Sequence, residues 1–563
     1  MPFNTSINTM KMLLNLYKTG DIRKVVIKSD KVEKPLINPR NASTTLERTM
    51  PSLVGVDPLY LDSFVNELNN EPSIHINRLM IVKKDKVIKE YYKAPYQRDN
   101  WDSCYSLTKT ITSMGIGLLV DDGLLDVNEY AADILMKDKP VMVLANKKMK
   151  VRDLLTMATG NKFNEISTSG SAYWVKDFFN TDNKFPIGTA FEYNSLNTYI
   201  LSSIVKAKSG KGLSELVGER IFSKLGITNY FFETSTEDIE KGGWGLYITI
   251  EDMAKLGILI KDKGVYKGER IISENWVNEM TKTQAEATKF FHRFNYGYQM
   301  WVNEEKNVSL FNGLFDQDIM IYRNEDIVVV VNSSNPEAFH GSKFYDIADK
   351  YFLNGINKNI KYAKYYGDRK LNNIKPLLNL MPKLLNREFI ATGDQKASTS
   401  ILPLILQASF ATYSTGLNIM MFKKVKDEYI LNVKENEASF DIRFNFKDGI
   451  YQTLNIYGNL YETHSEARFS LDEKERPELI ITINFLEFAS TRYIKFLLVG
   501  SNEKMEATFT EFPDEEFALK LINYQDEKTK KTLDRVKKLV DQDFVDGKVK
   551  GIFSPSLTLI DKE

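Results

Sequence analysis

Hydrophobic and polar positions change rhythm twice along this chain. From about Pro51 to Leu353, apolar runs that read as strands (Leu79–Val87 and Asp326–Asn332) bracket stretches with helical spacing at Lys109–Asp121, Val151–Ala158 and Asn197–Lys208. Strands at both ends with helices between them predict an α+β domain whose sheet joins its own termini. After about Asn372 the rhythm becomes two-residue. Tyr429–Lys434, Ser439–Lys447, Tyr451–Tyr457, Ala467–Leu471, Leu479–Phe485, Arg492–Val499 and Lys504–Phe512 predict successive strands, several separated by turns such as Lys447-Asp448-Gly449. That pattern is an antiparallel sheet or partial barrel, with a charged helix expected over Glu527–Asp541. The expected division is an N-terminal arm over 1–50, an α+β domain over 51–355, a linker over 356–390 and a β-rich domain over 391–563 ending in a helix.

Composition narrows the chemistry. At 563 residues the chain exceeds what one core supports, and its 43% hydrophobic and 27% charged residues are an ordinary globular balance. Lys+Arg and Asp+Glu both number 75, so no basic footprint for nucleic acid or an anionic membrane exists. The single cysteine, Cys104, excludes a disulfide framework, and four scattered histidines show no metal-ligand spacing and no usual histidine-based triad. No metal and no cofactor are expected. The apolar runs fall short of a membrane span, and the N-terminal Met12-Leu13-Leu14 is too short for a secretory signal, so a cytoplasmic soluble protein is expected.

The informative segment is Ser106-Leu107-Thr108-Lys109. On a helix, positions three apart share a face, so an ammonium can sit beside a hydroxyl, and a desolvated lysine can act as the base that activates a serine. The same spacing recurs at Ser203/Lys206 and Ser501/Lys504, so spacing alone decides nothing. Context separates the three. Lys206 runs into a basic, glycine-containing stretch and Ser501/Lys504 sits in a turn, whereas Lys109 opens Thr110–Val120, apolar on most faces. Such a helix is buried, and a buried lysine needs a reason. Cys104, with no histidine near it in sequence, reads as a small buried thiol.

Three further stretches extend this picture: Val151–Gly160, Pro186–Ser195 with Tyr193-Asn194-Ser195, and Gly242–Tyr247 followed by Glu251–Gly257. With Tyr296–Trp301, Asn312-Gly313 and Gln317, their order over roughly 55–340 resembles the serine β-lactamase-like family. The branch of class C β-lactamases, DD-peptidases and nylon-oligomer hydrolases and esterases is the most similar. The resemblance implies a β-lactamase/transpeptidase-like domain of antiparallel sheet flanked by helices. It further implies Ser106 as acylated nucleophile, Lys109 as its base or proton shuttle, and Tyr193 as the phenol that passes the proton to the leaving group, its pKa lowered by the lysine. Ser195 would point into the site and bond Lys109 or substrate.

The third motif of that family departs here. The strand that usually carries Lys-Thr-Gly or His-x-Gly reads Phe311-Asn312-Gly313, with no cation to hold a substrate carboxylate. Asn312 and Gly313 remain as substrate-side positions, and the N–H groups of Ser106 and Leu314 would form the oxyanion hole. The expectation is a serine hydrolase acting on an ester, small amide or peptide rather than a true β-lactamase. The alternative is an inactive scaffold that kept the fold. Expected partners are a small-molecule or peptide substrate, with no nucleic acid and no membrane, and the C-terminal domain offers a surface for homo-oligomerisation.

Overall fold

The computed structural model describes residues 34–37, 43–136, 146, 148–168, 171–336, 342–353, 355, 360–364, 375–393, 395–396, 399–410, 412, 414, 416–498, 504–517, 551 and 553–562. The helix expected at Glu527–Asp541 lies outside these residues. The chain divides into two compact units, one built on Ile37–Tyr366 and the other on Gly367–Glu563 together with Asn8–Leu36. No helix among the described residues is long and apolar enough to cross a membrane.

The first unit centres on a seven-stranded sheet. Its strands are β1 (Ile76–Lys83), β2 (Lys86–Tyr92), β3 (Asn295–Tyr296), β4 (Trp301–Asn303), β5 (Val308–Gly313), β6 (Gln317–Tyr322) and β7 (Ile327–Ser333), in spatial order β2-β1-β7-β6-β5-β4-β3. The N-terminal hairpin pairs antiparallel with the last strand, Met80 opposite Val330, so the sheet does join the two ends of the unit. Both faces are covered, which is why Ile327–Val331 is an unbroken apolar run. Met80, Val328 and Val330 face helices α2 (Thr108–Asp121), α3 (Ser195–Ser209) and α4 (Ile250–Lys261), while Leu79, Val329 and Val331 face α1 (Pro58–Asn70) and α5 (Lys343–Phe352). The single strand expected over Leu79–Val87 is instead a hairpin. Lys84 and Asp85 turn with φ of 50° and 59°, a left-handed pair that Asn-Gly would have signalled and Lys-Asp does not.

The second unit is a ten-stranded antiparallel sheet. It runs β8 (Glu388–Thr392), β9 (Leu417–Val425), β10 (Glu428–Glu435), β11 (Ala438–Phe444), β12 (Ile450–Ile456), β13 (Asn459–Leu471), β14 (Pro477–Phe485), β15 (Ser490–Leu498), β16 (Lys504–Phe512) and β17 (Ser556–Asp561). Each strand neighbours the next in sequence except β11 and β12, and β8 pairs with β17, which brings the first and last strands together. The two open edges approach closely: Ala467 donates to the Asn445 carbonyl at 2.9 Å, and Phe446 stacks on Phe469 with centroids 5.5 Å apart. A near-barrel results. Strands β8, β9 and β17 escape the sequence pattern: Leu417–Val425 lacks clean alternation, and β8 and β17 are short pieces set far apart in the chain.

Residues 399–410, 412 and 414, with a short helix at Leu404–Ser409, are held to this sheet by buried charges. Arg492 pairs with Glu511 at 2.8 Å and donates to the Leu402 carbonyl at 2.8 Å, and Glu511 accepts the Leu404 N–H. Glu435 accepts from Ser400, Ile401 N, Ser414 and Tyr457.

Candidate active site

The site is assembled on the first unit where a short strand, Trp101–Ser103, runs into α2. Cys104 N–H bonds the Leu246 carbonyl at 2.8 Å, extending the strand's pairing with Leu246–Thr249 by one residue. The chain then reverses at Tyr105, whose φ of 45° is a left-handed conformation costing a tyrosine roughly 1–3 kcal/mol. Thr108 secures the turn: its Oγ1 donates to the Tyr105 carbonyl at 2.6 Å and accepts the Leu246 N–H at 3.1 Å. Ser106 is thereby presented on a single 3-10 turn ahead of the helix.

Lys109 lies one turn further, 1% exposed, on a helix buried from Thr108 to Leu119. Its Nζ reaches Ser106 Oγ at 2.9 Å, Ser195 Oγ at 2.9 Å and the Gly243 carbonyl at 2.7 Å. None of these partners is a carboxylate. Burial therefore pushes the Lys109 pKa down to about 7, with the nearby Glu165 charge opposing. A lysine so placed is substantially neutral near pH 7. Its three neighbours suit that state: two N–H bonds to Gly243 O and Ser195 Oγ leave the lone pair facing the Ser106 hydroxyl.

The third side of the site comes from the start of α3. Asn194 caps this helix, accepting the Leu196 N–H at 2.9 Å, and its amide donates to the carbonyls of Asn161 and Phe163, each at 2.9 Å. It therefore anchors the Tyr193-Asn194-Ser195 element to the preceding loop. Tyr193 hydrogen-bonds Ser106 and lays its ring 4.7 Å from Lys109 Nζ. The ring is stacked against Phe290 and Trp301, at 5.3 and 5.7 Å between centroids. This environment corrects one expectation: burial raises the Tyr193 pKa well above the ordinary phenol range, outweighing the Ser106 hydrogen bond that lowers it. The phenol stays protonated.

Two glycines close the site. A Cβ on Gly243 would lie 2.7 Å from the Ser195 carbonyl oxygen, so only glycine lets the loop bring its own carbonyl to Lys109. A Cβ on Gly313 would lie 2.3 Å from the Cys104 carbonyl oxygen, so glycine there lets β5 run hard against the segment that carries Ser106. Just beyond it, the Leu314 N–H meets no acceptor among the described residues. Not every candidate converges. The Asn312 amide is engaged by Asp318 at 2.9 Å and Tyr345 at 3.0 Å and does not join Lys109 and Ser195. Phe311, where the related motif carries a cation, is fully buried in the core.

The competing features recede. Ser203 bonds the Tyr199 carbonyl within its helix and Lys206 pairs with exposed Asp238. Burial raises the Cys104 pKa far above that of a reactive thiol. What sequence reasoning missed is Gly243 as a lysine partner and Glu165, which accepts the Ser195 N–H at 2.9 Å; a lone Glu in a polar stretch gives no signal.

Comparison with known proteins identifies the family. Residues 61–351, just over half of the chain, match the family described as Beta-lactamase. The 6-aminohexanoate-dimer hydrolase of Paenarthrobacter ureafaciens is 26% identical over 289 residues, covering 46% of this chain and 72% of that protein. Among solved structures, a putative 6-aminohexanoate-dimer hydrolase from Bacillus anthracis is 19% identical with a TM-score of 0.45, over 58% of this chain and 90% of that one. A putative β-lactamase from Bacteroides dorei is 21% identical with a TM-score of 0.45, over 52% and 98%. The chain belongs to the beta-lactamase family, as a β-lactamase-related serine hydrolase.

Proposed function

We propose that the protein hydrolyses an ester or amide of a small molecule or peptide through an acyl-Ser106 intermediate. The observation that carries this reading is Lys109, buried, 2.9 Å from the Ser106 hydroxyl, and with its pKa pushed to about 7. Neutral Lys109 takes the hydroxyl proton as Oγ attacks the carbonyl carbon. The oxyanion forms against the N–H groups of Ser106 and Leu314. Tyr193, a protonated phenol at rest, gives its proton to the leaving oxygen or nitrogen and is restored by the Lys109 ammonium. Water then attacks the acyl carbon, losing a proton to the same relay, and the proton returns to Ser106 Oγ as the acid departs.

The substrate class follows from β5. With Phe311 buried where a cation would meet a carboxylate, esters and amides lacking that carboxylate are favoured over β-lactams. The relative named as a 6-aminohexanoate-dimer hydrolase, which acts on an amide that is not a β-lactam, supports amide cleavage. Intact-mass analysis after exposure to a fluorophosphonate and to a penicillin tests the reading. One phosphonate adduct, absent from Ser106→Ala, with little penicillin adduct, is the expected result. A folded protein that takes up neither reagent would make the scaffold reading the correct one.

A further inference from the structure

We propose that Tyr105 and Phe315 are positioning residues for the oxyanion hole: the contact between their rings fixes the spacing of the Ser106 and Leu314 N–H groups. The inference rests on the acyl-Ser106 reading and adds what holds its two donors in place.

Each donor adjoins a residue in the left-handed region. Tyr105, with φ of 45°, directly precedes Ser106; Phe315 and Asp316, with φ of 65° and 59°, directly follow Leu314. Glycine or asparagine takes such positions at little cost, whereas a bulky aromatic residue is held there only when its surroundings over-determine it. Here each aromatic residue is part of the other's surroundings. The two rings meet edge to face, 5.4 Å between centroids with their planes at 74°, and Phe315 is 1% exposed.

Backbone contacts hold each turn within its own segment. The Tyr105 carbonyl accepts from Thr108 Oγ1 at 2.6 Å, and the Phe315 carbonyl accepts the Asn335 N–H at 3.4 Å. Gln317 Nε2 donates to the Ser333 carbonyl at 2.7 Å, which fastens the start of β6 to the end of β7. None of these bonds joins one turn to the other. The turns meet through the two rings and through Gly313, whose missing Cβ admits the Cys104 carbonyl. A glycine permits the close approach but sets no direction, whereas an edge-to-face ring pair favours both a distance and an orientation. The Tyr105 dihedrals orient the rigid peptide plane that carries the Ser106 N–H, and the Phe315 turn fixes where the chain leaves Leu314. An oxyanion needs both donors at about 2.7–3.1 Å from one point, and a misplacement of about 1 Å can cost about a hundredfold in rate.

The test compares para-nitrophenyl butanoate with its thiono analogue, in which sulfur replaces the carbonyl oxygen. Sulfur is the larger atom and the weaker acceptor, so a hole built for oxygen favours the oxo ester. Wild type should prefer it in kcat/KM by about a hundredfold. Tyr105→Gly relieves the backbone and removes the ring; its kcat/KM on the oxo ester should fall about thirty- to a hundredfold, and the oxo/thiono ratio about tenfold. Phe315→Leu, which keeps apolar volume but not the ring, should move both in the same direction and carries the comparison if Tyr105→Gly does not fold. Tyr105→Phe should stay within about threefold of wild type in both. Phosphonate labelling of Ser106, which places a phosphoryl oxygen in the same hole, should slow in the two ring-deleted variants and not in Tyr105→Phe. Equal losses on the two esters, labelling rates that do not change, or a Tyr105→Phe as impaired as Tyr105→Gly would overturn the inference. Wild type that hydrolyses neither ester and takes no phosphonate on Ser106 would instead overturn the hydrolase reading.

Discussion

Each unit of this protein buries cations, and the two treat them in opposite ways. In the second unit, Lys34 is buried with Glu487 at 2.6 Å, and Arg492 with Glu511 at 2.8 Å; each charge meets a carboxylate, and the pair ties segments far apart in sequence. In the first, Lys109 is equally buried but faces two hydroxyls and a carbonyl. Burial opposes the charged form in all three cases. With a carboxylate in contact the ion survives and becomes a strut; with neutral partners the proton affinity falls towards what the proposed base requires. The same unit supplies an internal control, since buried Lys255 contacts Asp252 at 2.8 Å and belongs to the strut class.

The sharpest way to break this contrast is to remove the reactive partners. Ser106→Ala or Lys109→Met should lower kcat by about a thousandfold or more on any substrate the protein turns over, measured by steady-state hydrolysis. Next in size, Arg492→Met leaves Glu511 buried and unpaired and should cost about 3–5 kcal/mol by urea denaturation, whereas Arg492→Met/Glu511→Leu together should recover most of it.

pH separates the two classes more finely. With Lys109 near 7 folded against 10.5 unfolded, the unfolded chain binds more protons across that window. The Lys109 contribution therefore makes stability rise with pH from about 7 to 10.5, and kcat/KM should rise as pH passes about 7. Thermal melts of Lys109→Met should lack that share of the slope. The smallest effect is expected at the surface: Arg443→Ala, which loses an exposed pair with Glu428, should change stability by under about 1 kcal/mol.

Legibility in the sequence followed how local each determinant was. Helix α2 was readable because twelve consecutive buried positions left Lys109 conspicuous, and the two-residue rhythm of β10–β16 survived because alternation is written within each strand. The Lys84-Asp85 turn was not readable, because its left-handed pair is held by the pairing of β1 with β2 and not by residue type. Nor was the sense of the Tyr193 shift: the family resemblance implied a phenol pKa lowered by the lysine, while the aromatic stack that buries the ring comes from Phe290 and Trp301.

By itself, then, the sequence determined which side chains were available: a serine and a lysine three positions apart, a phenol at a later helix start, no histidine at any of these motifs and no cation in the third one. Tertiary structure decided what those groups became. Lys109 meets Ser195 across 86 residues and Gly243 across 134, and only that folding leaves it without a carboxylate. Proton affinity depends on which neighbours surround a group and on the water they exclude, and neither is a property of any single stretch of chain.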